Sequence, residues 1–231
     1  MNYDKLLIEW KDNIISHTNF SFIKYGDGEF NCMMGLSGLN CDKHPYTKEL
    51  SDKLYDSWYF LSSLDNIYIS LWHTMSFYDE LLSKTKNIKA NLIETGYEIL
   101  LQNNLTENKF NFLKSIKETN RKKIFIGPNR LKGVIDFLNI NFFIEVPLIN
   151  SFSEYEKVLN EIYTHIQDYS IFLFSSGMMT KSLIHKILEK NRNVTCLDIG
   201  SGFDSIFVGL TRSGQNPEKV KMFYQTLLER K

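Results

Sequence analysis

YSIFLFSSGMMTKSLIHKILEKNRNVTCLDIG, residues 169–200, is the stretch that decides the fold. Apolar runs typical of buried strands stand on either side of a segment with helical apolar spacing. The stretch divides into a strand, a Ser-Ser-Gly turn, a helix and a second strand, at 169–174, 175–177, 178–189 and 193–197. Because parallel strands need a long crossover connection, two strands joined by a helix predict a parallel β-α-β unit.

The same alternation extends through most of the chain. Strands are predicted at 20–25, 66–72, 123–126 and 142–146, and helices at 3–16, 47–63, 130–138 and 153–166. The pair Ser153 and Glu156 resembles a capping box at the start of the last helix. The segment 75–119 is predicted to be mostly helical, with breaks near Asn87 and Asn103. Strands that alternate with helices predict an α/β fold, a Rossmann-like and mainly parallel sheet flanked by helices.

No Pro-, Gly- or Ser-rich linker and no internal repeat interrupts this pattern. We therefore expect a single domain, 1–231, with a core at about 18–205 and a C-terminal helix at about 216–230. That helix is amphipathic, so it is predicted to pack on the core or on a second subunit of a homo-oligomer.

The composition narrows the class of protein. Lys+Arg and Asp+Glu both number 27, and this zero net charge provides no basic footprint for nucleic acid. The three cysteines have no CxxC or Cys/His ligand spacing, which predicts reduced thiols and no zinc site. No apolar run approaches the length of a membrane span, and charged residues interrupt the N-terminus where a signal peptide would be apolar. We expect a cytoplasmic protein without a membrane span.

Polar segments follow four of the predicted strands, at 26–29, 127–130, 175–177 and 198–204. The carboxyl ends of parallel strands lie at one edge of a sheet, and ligands of open α/β sheets bind outside that edge. This convergence predicts an enzyme or a binding protein.

Gly26-Asp27-Gly28-Glu29 is predicted to be a loop that carries two carboxylates just after the first strand. Its glycines let a ligand approach the main chain. Two converging carboxylates suit a hard divalent cation with positions left open for phosphate oxygens, so Asp27 and Glu29 are the predicted metal ligands. A plain turn with solvated acids explains the tetrapeptide about as well.

Ser175-Ser176-Gly177, with Thr180 in the next helical turn, offers backbone N–H groups and hydroxyls to an anion. Ordinary N-capping by serine explains the same pattern. The sequence contains neither GxGxxG nor a Walker A motif, which disfavours a dinucleotide site and a P-loop.

Further polar candidates follow the other strands. Asn129 and Arg130 could present a guanidinium to a diphosphate, the alternative being a solvated arginine. Asp198 and Asp204 flank a glycine turn, where one of them could bind a sugar hydroxyl or act as a base, or both could be turn acids. His73 follows the second strand and would face the same edge. No motif of a nucleophilic serine is present.

The order of these motifs resembles the bacterial GT-D type glycosyltransferases, once catalogued as a domain of unknown function. That family carries an RxGDGE-like loop, a late Ser-x-Gly-Pro-Thr-like turn and a closing Asp-Ile-Gly-His motif. The corresponding segments here are 24–29, 176–180 and 198–201, and the resemblance covers roughly residues 18–205.

The resemblance implies roles for individual residues. Asp27 and Glu29 would serve a divalent metal ion and the sugar nucleotide. The other matched positions would lie at the nucleotide sugar: Lys24, Gly26, Gly28, Ser176, Gly177, Thr180 and Asp198. The chain departs from the family pattern in three places, with Lys24 for arginine, Met178 for proline and Ser201 for histidine. Asp204 is the nearby residue that could replace this histidine.

The implied reaction transfers a glycosyl group from a nucleotide diphosphate sugar, with a UDP-sugar favoured, to a hydroxyl of a glycan, glycopeptide or glycolipid. Mn²⁺ or Mg²⁺ at Asp27 and Glu29 would neutralise the diphosphate leaving group. Backbone amides at 176–178 and Arg130 would share that charge.

The base that deprotonates the acceptor has three candidates, Asp204, His73 and Glu29. Two other functions stay open at this point: a metal-dependent phosphoesterase or nucleotide hydrolase that uses the same carboxylates, and an inactive nucleotide-sugar-binding module.

Overall fold

The computed structural model describes residues 3–40, 43–71, 77–94, 99–100, 105–209 and 216–229. Within these residues, seven strands form one sheet in which all neighbouring strands run parallel. They are β1 (Ser21–Tyr25), β2 (Ile67–Leu71), β3 (Asn91–Glu94), β4 (Lys123–Gly127), β5 (Phe142–Glu145), β6 (Ile171–Phe174) and β7 (Thr195–Asp198). Their order across the sheet is β3-β2-β1-β7-β6-β4-β5. The predicted α/β fold with a parallel sheet is confirmed.

Helices connect the strands and cover both faces of the sheet. They are α1 (Tyr3–Ile15), α2 (Asp27–Met33), α3 (Lys48–Ser62), α4 (Phe77–Lys84), α5 (Glu107–Glu118), α6 (Val134–Leu138), α7 (Tyr155–His165), α8 (Thr180–Lys190), α9 (Asp204–Phe207) and α10 (Pro217–Glu229). Within the residues that the structure describes, no helix is long and apolar enough to span a membrane.

Two apolar cores lie on opposite faces of the sheet. Helices α2, α3, α7 and α8 contribute to one core, and α1, α5, α6 and α10 contribute to the other. Side chains alternate along a strand, so Ile23 and Tyr25 of β1 face the first core while Phe22 faces the second. The central strands are therefore buried on both faces, which explains why β4 and β6 contain continuous apolar runs in the sequence.

Local sequence sets the start and the buried face of the longer helices. In α1, the buried side chains Leu7, Trp10 and Ile14 follow helical spacing and form one stripe. The α3 helix begins where the Thr47 hydroxyl accepts a hydrogen bond from the N–H of Leu50 at 3.2 Å. These two helices match the predicted ones to within a residue or two.

Strand β3 was missed in the sequence, where 75–119 is predicted to be mostly helical. The structure places helices α4 and α5 in this segment but puts the four-residue strand between them. Strand β3 is an edge strand in which Ile93 alone is fully buried, so it has no apolar alternation to mark it.

Helix starts near two of the predicted turns are also corrected. Residues 129–131 and 177–179 form 3₁₀ turns, so α6 and α8 begin later than expected. The predicted capping box of Ser153 and Glu156 is wrong, because α7 begins at Tyr155 after a 3₁₀ turn and the Ser153 hydroxyl donates to the carbonyl of Asn150 instead.

The strand order brings the predicted polar segments together. Strands β1, β7, β6 and β4 are consecutive neighbours in the sheet, and each is followed by one of the four segments. Their ends are level, because Phe174 of β6 pairs in register with Asp198 on one side and with Ile126 on the other. The carboxyl edge of the central sheet is therefore the place to look for a functional site.

A buried arginine ties the same strands together at the opposite edge. Arg121 is 4% exposed and donates hydrogen bonds to the Tyr169 carbonyl at 2.6 Å, the Asn19 amide oxygen at 2.7 Å and the Thr195 hydroxyl at 2.8 Å. These acceptors stand at or just before the starts of β6, β1 and β7. One side chain therefore joins three strands.

We predict that Arg121→Met destabilises the protein by about 3 kcal/mol or more, because hydrogen bonds to a charged group contribute about 1.5–3 kcal/mol each. Urea denaturation measures the effect. The exposed Arg192 provides the control, since Arg192→Met should change stability by less than about 0.5 kcal/mol. Equal effects of the two substitutions would contradict the assigned role of Arg121.

Candidate active site

Gly26-Asp27-Gly28-Glu29 is not the predicted loop, because Asp27 is the first residue of helix α2. Gly26 is the N-cap of this helix with an extended backbone, and its N–H donates to Glu29 Oε2 at 3.0 Å. A Cβ on Gly28 would lie 3.3 Å from Cβ of Asn40, so the glycine allows the chain at Asn40 to pack closely on the helix start.

The helical backbone separates the two carboxylates. Residues two apart share a face on a strand, but on a helix of 3.6 residues per turn they point about 200° apart. Asp27 is accordingly exposed, while Glu29 is 8% exposed. The two acids therefore meet different surroundings.

Glu29 and Asp198 are bridged by a lysine that is itself buried. Lys181 Nζ lies 2.5 Å from Glu29 Oε1 and 3.2 Å from Asp198 Oδ2, and Lys181 is 4% exposed. Burial lowers the pKa of Lys181, but the charges of Asp198 and Glu29 more than offset this effect and raise it above its ordinary value. Burial, together with the same two carboxylates, raises the pKa of the adjacent Tyr25 hydroxyl well above its ordinary value.

Lys24 completes this cluster from the end of β1. Its backbone N–H donates to Asp198 Oδ2 at 3.2 Å, and its ammonium donates to the Ile199 carbonyl at 3.0 Å and lies 3.8 Å from Asp198 Oδ1. We call Lys24, Glu29, Lys181 and Asp198 the charged cluster. It contains two ammonium groups and two carboxylates, so its formal charge is balanced.

Glycine is favoured at position 200, where the charged cluster meets the turn after β7. Its φ is +55°, a region that favours glycine, and a Cβ there would lie 2.5 Å from Lys24 Nζ. The sequence marks Gly200 as part of a glycine turn and, by resemblance, as the glycine of the closing Asp-Ile-Gly-His motif. The structure shows in addition that the Lys24 side chain occupies the space that a side chain on Gly200 would need.

The hydroxyls of the predicted anion-binding turn are bonded inside the protein. Ser175 Oγ donates to the Gly200 carbonyl at 2.6 Å, and Ser176 Oγ lies 2.8 Å from Thr180 Oγ1. Ser176 and Thr180 are buried, whereas Ser175 and Gly177 are half-buried. A ligand at this turn would therefore meet its backbone and Ser175 rather than the hydroxyls of Ser176 and Thr180.

Arg130 and Asp204 form an ion pair across the end of β6. Arg130 Nη2 lies 3.0 Å from Asp204 Oδ2. Arg130 follows β4 and Asp204 follows β7, and β6 lies between these strands, so the pair spans the strand that leads into the serine turn. Asn129, beside Arg130, is exposed at the same edge.

A buried histidine to which the sequence assigns no role is linked to the serine turn through Ser151. His44 is 1% exposed, and its Nε2 accepts the N–H of Ser151 at 3.1 Å. The Ser151 hydroxyl in turn donates to the Ser176 carbonyl at 2.8 Å. His73, the histidine that the sequence favours, lies outside the described residues.

Mn²⁺ or Mg²⁺ fits the exposed carboxylate of Asp27 better than that of Glu29. Both oxygens of Glu29 already contact other groups, Oε1 the ammonium of Lys181 and Oε2 the N–H of Gly26. The described part of the chain contains no group of three or more His, Cys, Asp or Glu side chains that could hold a metal ion. Mg²⁺ commonly combines one or two protein carboxylates with substrate phosphates and water.

Two solved structures have a similar fold. One, described as "The highly conserved domain of unknown function 1792 has a distinct glycosyltransferase fold", is 18% identical with a TM-score of 0.64, over 91% of this chain and 83% of that chain. A selenomethionine-substituted structure of domain of unknown function 1792 is 17% identical with a TM-score of 0.58, over 93% of this chain and 89% of that chain. Comparisons with protein-family models and with curated proteins give no match. The chain therefore has a glycosyltransferase fold.

We predict that Gly200→Ala destabilises the protein more than Gly35→Ala does. Both glycines have positive φ, so each substitution should cost about 1–2 kcal/mol of backbone strain. Only at Gly200 would the new methyl group also meet Lys24, because no atom lies within 4 Å of a Cβ at Gly35. Urea denaturation of the two variants measures the difference.

The added cost at Gly200 should disappear when Lys24 is replaced by alanine. If Gly200→Ala and Gly35→Ala cost the same in the native background, the close approach of Lys24 to Gly200 has no energetic consequence.

Proposed function

We propose that this protein is a glycosyltransferase that moves a sugar from a nucleotide diphosphate sugar to a hydroxyl of a glycan or glycoconjugate. One observation carries the proposal: four polar segments follow four adjacent strands at the carboxyl edge of a sheet with a glycosyltransferase fold. Ligands of open α/β sheets bind at this edge. UDP is the favoured nucleoside diphosphate, as the resemblance to GT-D enzymes implies.

The donor diphosphate would lie over the end of β6, between Arg130 and the start of α2. Arg130 is exposed and its planar guanidinium can hold two phosphate oxygens at once. The backbone of the turn 175–178 stands at the start of α8, where peptide dipoles favour negative charge. Together they would stabilise the leaving diphosphate.

A divalent cation, Mn²⁺ or Mg²⁺, would bind at Asp27, the exposed member of the predicted pair Asp27 and Glu29. When bound, such an ion supplies positive charge to the departing diphosphate. The charged cluster behind Asp27 would hold the start of α2 in place while the donor binds.

Asp204 is preferred over Glu29 as the base, and His73 stays an alternative. Glu29 is paired with Lys181 and is buried. Asp204 is half-buried at the rim, where its partner Arg130 would be drawn to the donor phosphates. The carboxylate would then be available to accept a proton from the acceptor hydroxyl.

Nucleotide binding tests the proposal directly. With Mn²⁺, UDP at about 100 times its Kd should raise the Tm by roughly 5–10 °C. Asp27→Asn should remove the metal-dependent part of this shift. Asp65, which precedes β2 at the opposite edge, provides the control, because Asp65→Asn should leave the shift intact. If no nucleoside diphosphate raises the Tm, with or without metal, the proposal is wrong.

Substitutions of the ion pair separate donor binding from chemistry. Arg130→Met should weaken UDP binding by about ten- to a hundredfold, as expected for the loss of a charged hydrogen bond to phosphate. Asp204→Asn should instead lower kcat for transfer to an acceptor without weakening UDP binding. Calorimetric titration and a transfer assay measure the two effects. Loss of UDP affinity in Asp204→Asn equal to that in Arg130→Met would contradict the division of roles.

A further inference from the structure

Lys181 is the one residue of the charged cluster to which no role is assigned from the sequence, and its position is unusual. An ammonium group that is 4% exposed needs compensation, because removing a charge from water costs several kcal/mol. Glu29 and Asp198 supply that compensation from two different elements, the start of α2 and the end of β7.

Glu29 is fully engaged by this arrangement. Its Oε1 contacts Lys181 and its Oε2 accepts the N–H of Gly26, so the carboxylate closes the first turn of α2 and neutralises the lysine. An ammonium group and a divalent cation attract a carboxylate by the same force. Lys181 therefore competes with any metal ion for Glu29.

Asp27 has none of these restraints from Lys181. It is exposed in the same helical turn in which Glu29 is buried, and its Cα–Cβ bond leaves the helix about 200° from that of Glu29. For both acids to bind one ion, the Glu29 carboxylate would have to give up its contacts with Lys181 and with the N–H of Gly26. The buried ammonium of Lys181 would then lose one of its two carboxylate partners.

We propose that Lys181 is a positioning residue that keeps Glu29 out of the coordination of the divalent cation, so that Asp27 is the protein's carboxylate ligand. This inference rests on the proposed function, since it concerns the cation that accompanies the donor diphosphate. With one carboxylate ligand, the protein alone binds the ion weakly, and the phosphates of the bound donor complete the coordination. Cation and nucleotide binding are then coupled.

The test is direct measurement of Mn²⁺ binding by electron paramagnetic resonance, with Mn²⁺ alone and with Mn²⁺ plus UDP. Asp27→Asn should weaken Mn²⁺ binding by about ten- to a hundredfold, and Glu29→Gln should weaken it by less than about tenfold, through the loss of one nearby negative charge rather than of a ligand. Lys181→Met should tighten binding, because Glu29 is released and the site gains a net negative charge. The double variant Lys181→Met/Glu29→Gln should return to near the wild-type affinity.

Two outcomes would overturn the proposal. If Glu29→Gln weakens Mn²⁺ binding as much as Asp27→Asn does, Glu29 is a metal ligand. If Lys181→Met weakens Mn²⁺ binding, Lys181 has only a structural role. The comparison of Glu29→Gln with Asp27→Asn decides the question even if Lys181→Met does not fold. A wild-type protein that binds UDP but no Mn²⁺ would overturn this inference alone, whereas failure to bind any nucleoside diphosphate would overturn the proposed function.

Discussion

The candidate site depends on the ion pairs that the buried ammonium of Lys181 forms with two carboxylates. Lys181 stands at the start of α8 after β6, and its partners Glu29 and Asp198 belong to the segments at the ends of β1 and β7. These strands are adjacent in the order β1-β7-β6. At the opposite edge, the guanidinium of Arg121 joins the starts of the same three strands. A buried, positively charged side chain therefore connects β1, β7 and β6 at each edge of the sheet, Lys181 at the carboxyl edge and Arg121 at the amino edge.

This arrangement divides the carboxyl edge into a rigid interior and an open rim. The interior contains the charged cluster and the bonded hydroxyls of Ser176 and Thr180, all held by partners within the protein. The rim contains Asp27, Asn129 and Arg130, which are exposed. Catalytic sites commonly place contacting groups on such a rim and support them by a rigid scaffold. The rim is where the donor and the cation would bind.

Much of the fold follows from the sequence because the central strands are buried on both faces. Strands such as β4 and β6 are continuous apolar runs, so their positions are predicted to within a residue or two. The edge strand β3 buries only Ile93 fully and leaves no pattern. Asp27 and Glu29 are two positions apart, so an extended chain would point both carboxylates to the same side. The backbone there is helical, and the two side chains leave it in different directions.

The pairings within the site could not be predicted, because they join residues far apart in the chain. Lys181 in the first turn of a helix is expected to point to solvent, and only the position of β7 between β1 and β6 turns it toward two carboxylates. Arg130 and Asp204 are 74 positions apart in the sequence, so their ion pair could not be predicted for the same reason. Local sequence thus predicts which segments lie at the edge, and the strand order decides which of their residues meet.

Hydrogen–deuterium exchange of the protein with UDP and Mn²⁺ tests most directly whether the four segments form one donor site. Ligand binding slows exchange where it suppresses local opening. The account predicts slower exchange together in the segments that follow β1, β4, β6 and β7, at 26–30, 128–131, 176–181 and 199–204, with no change at the amino edge around Arg121. Protection confined to one segment, or located at the amino edge, would contradict it.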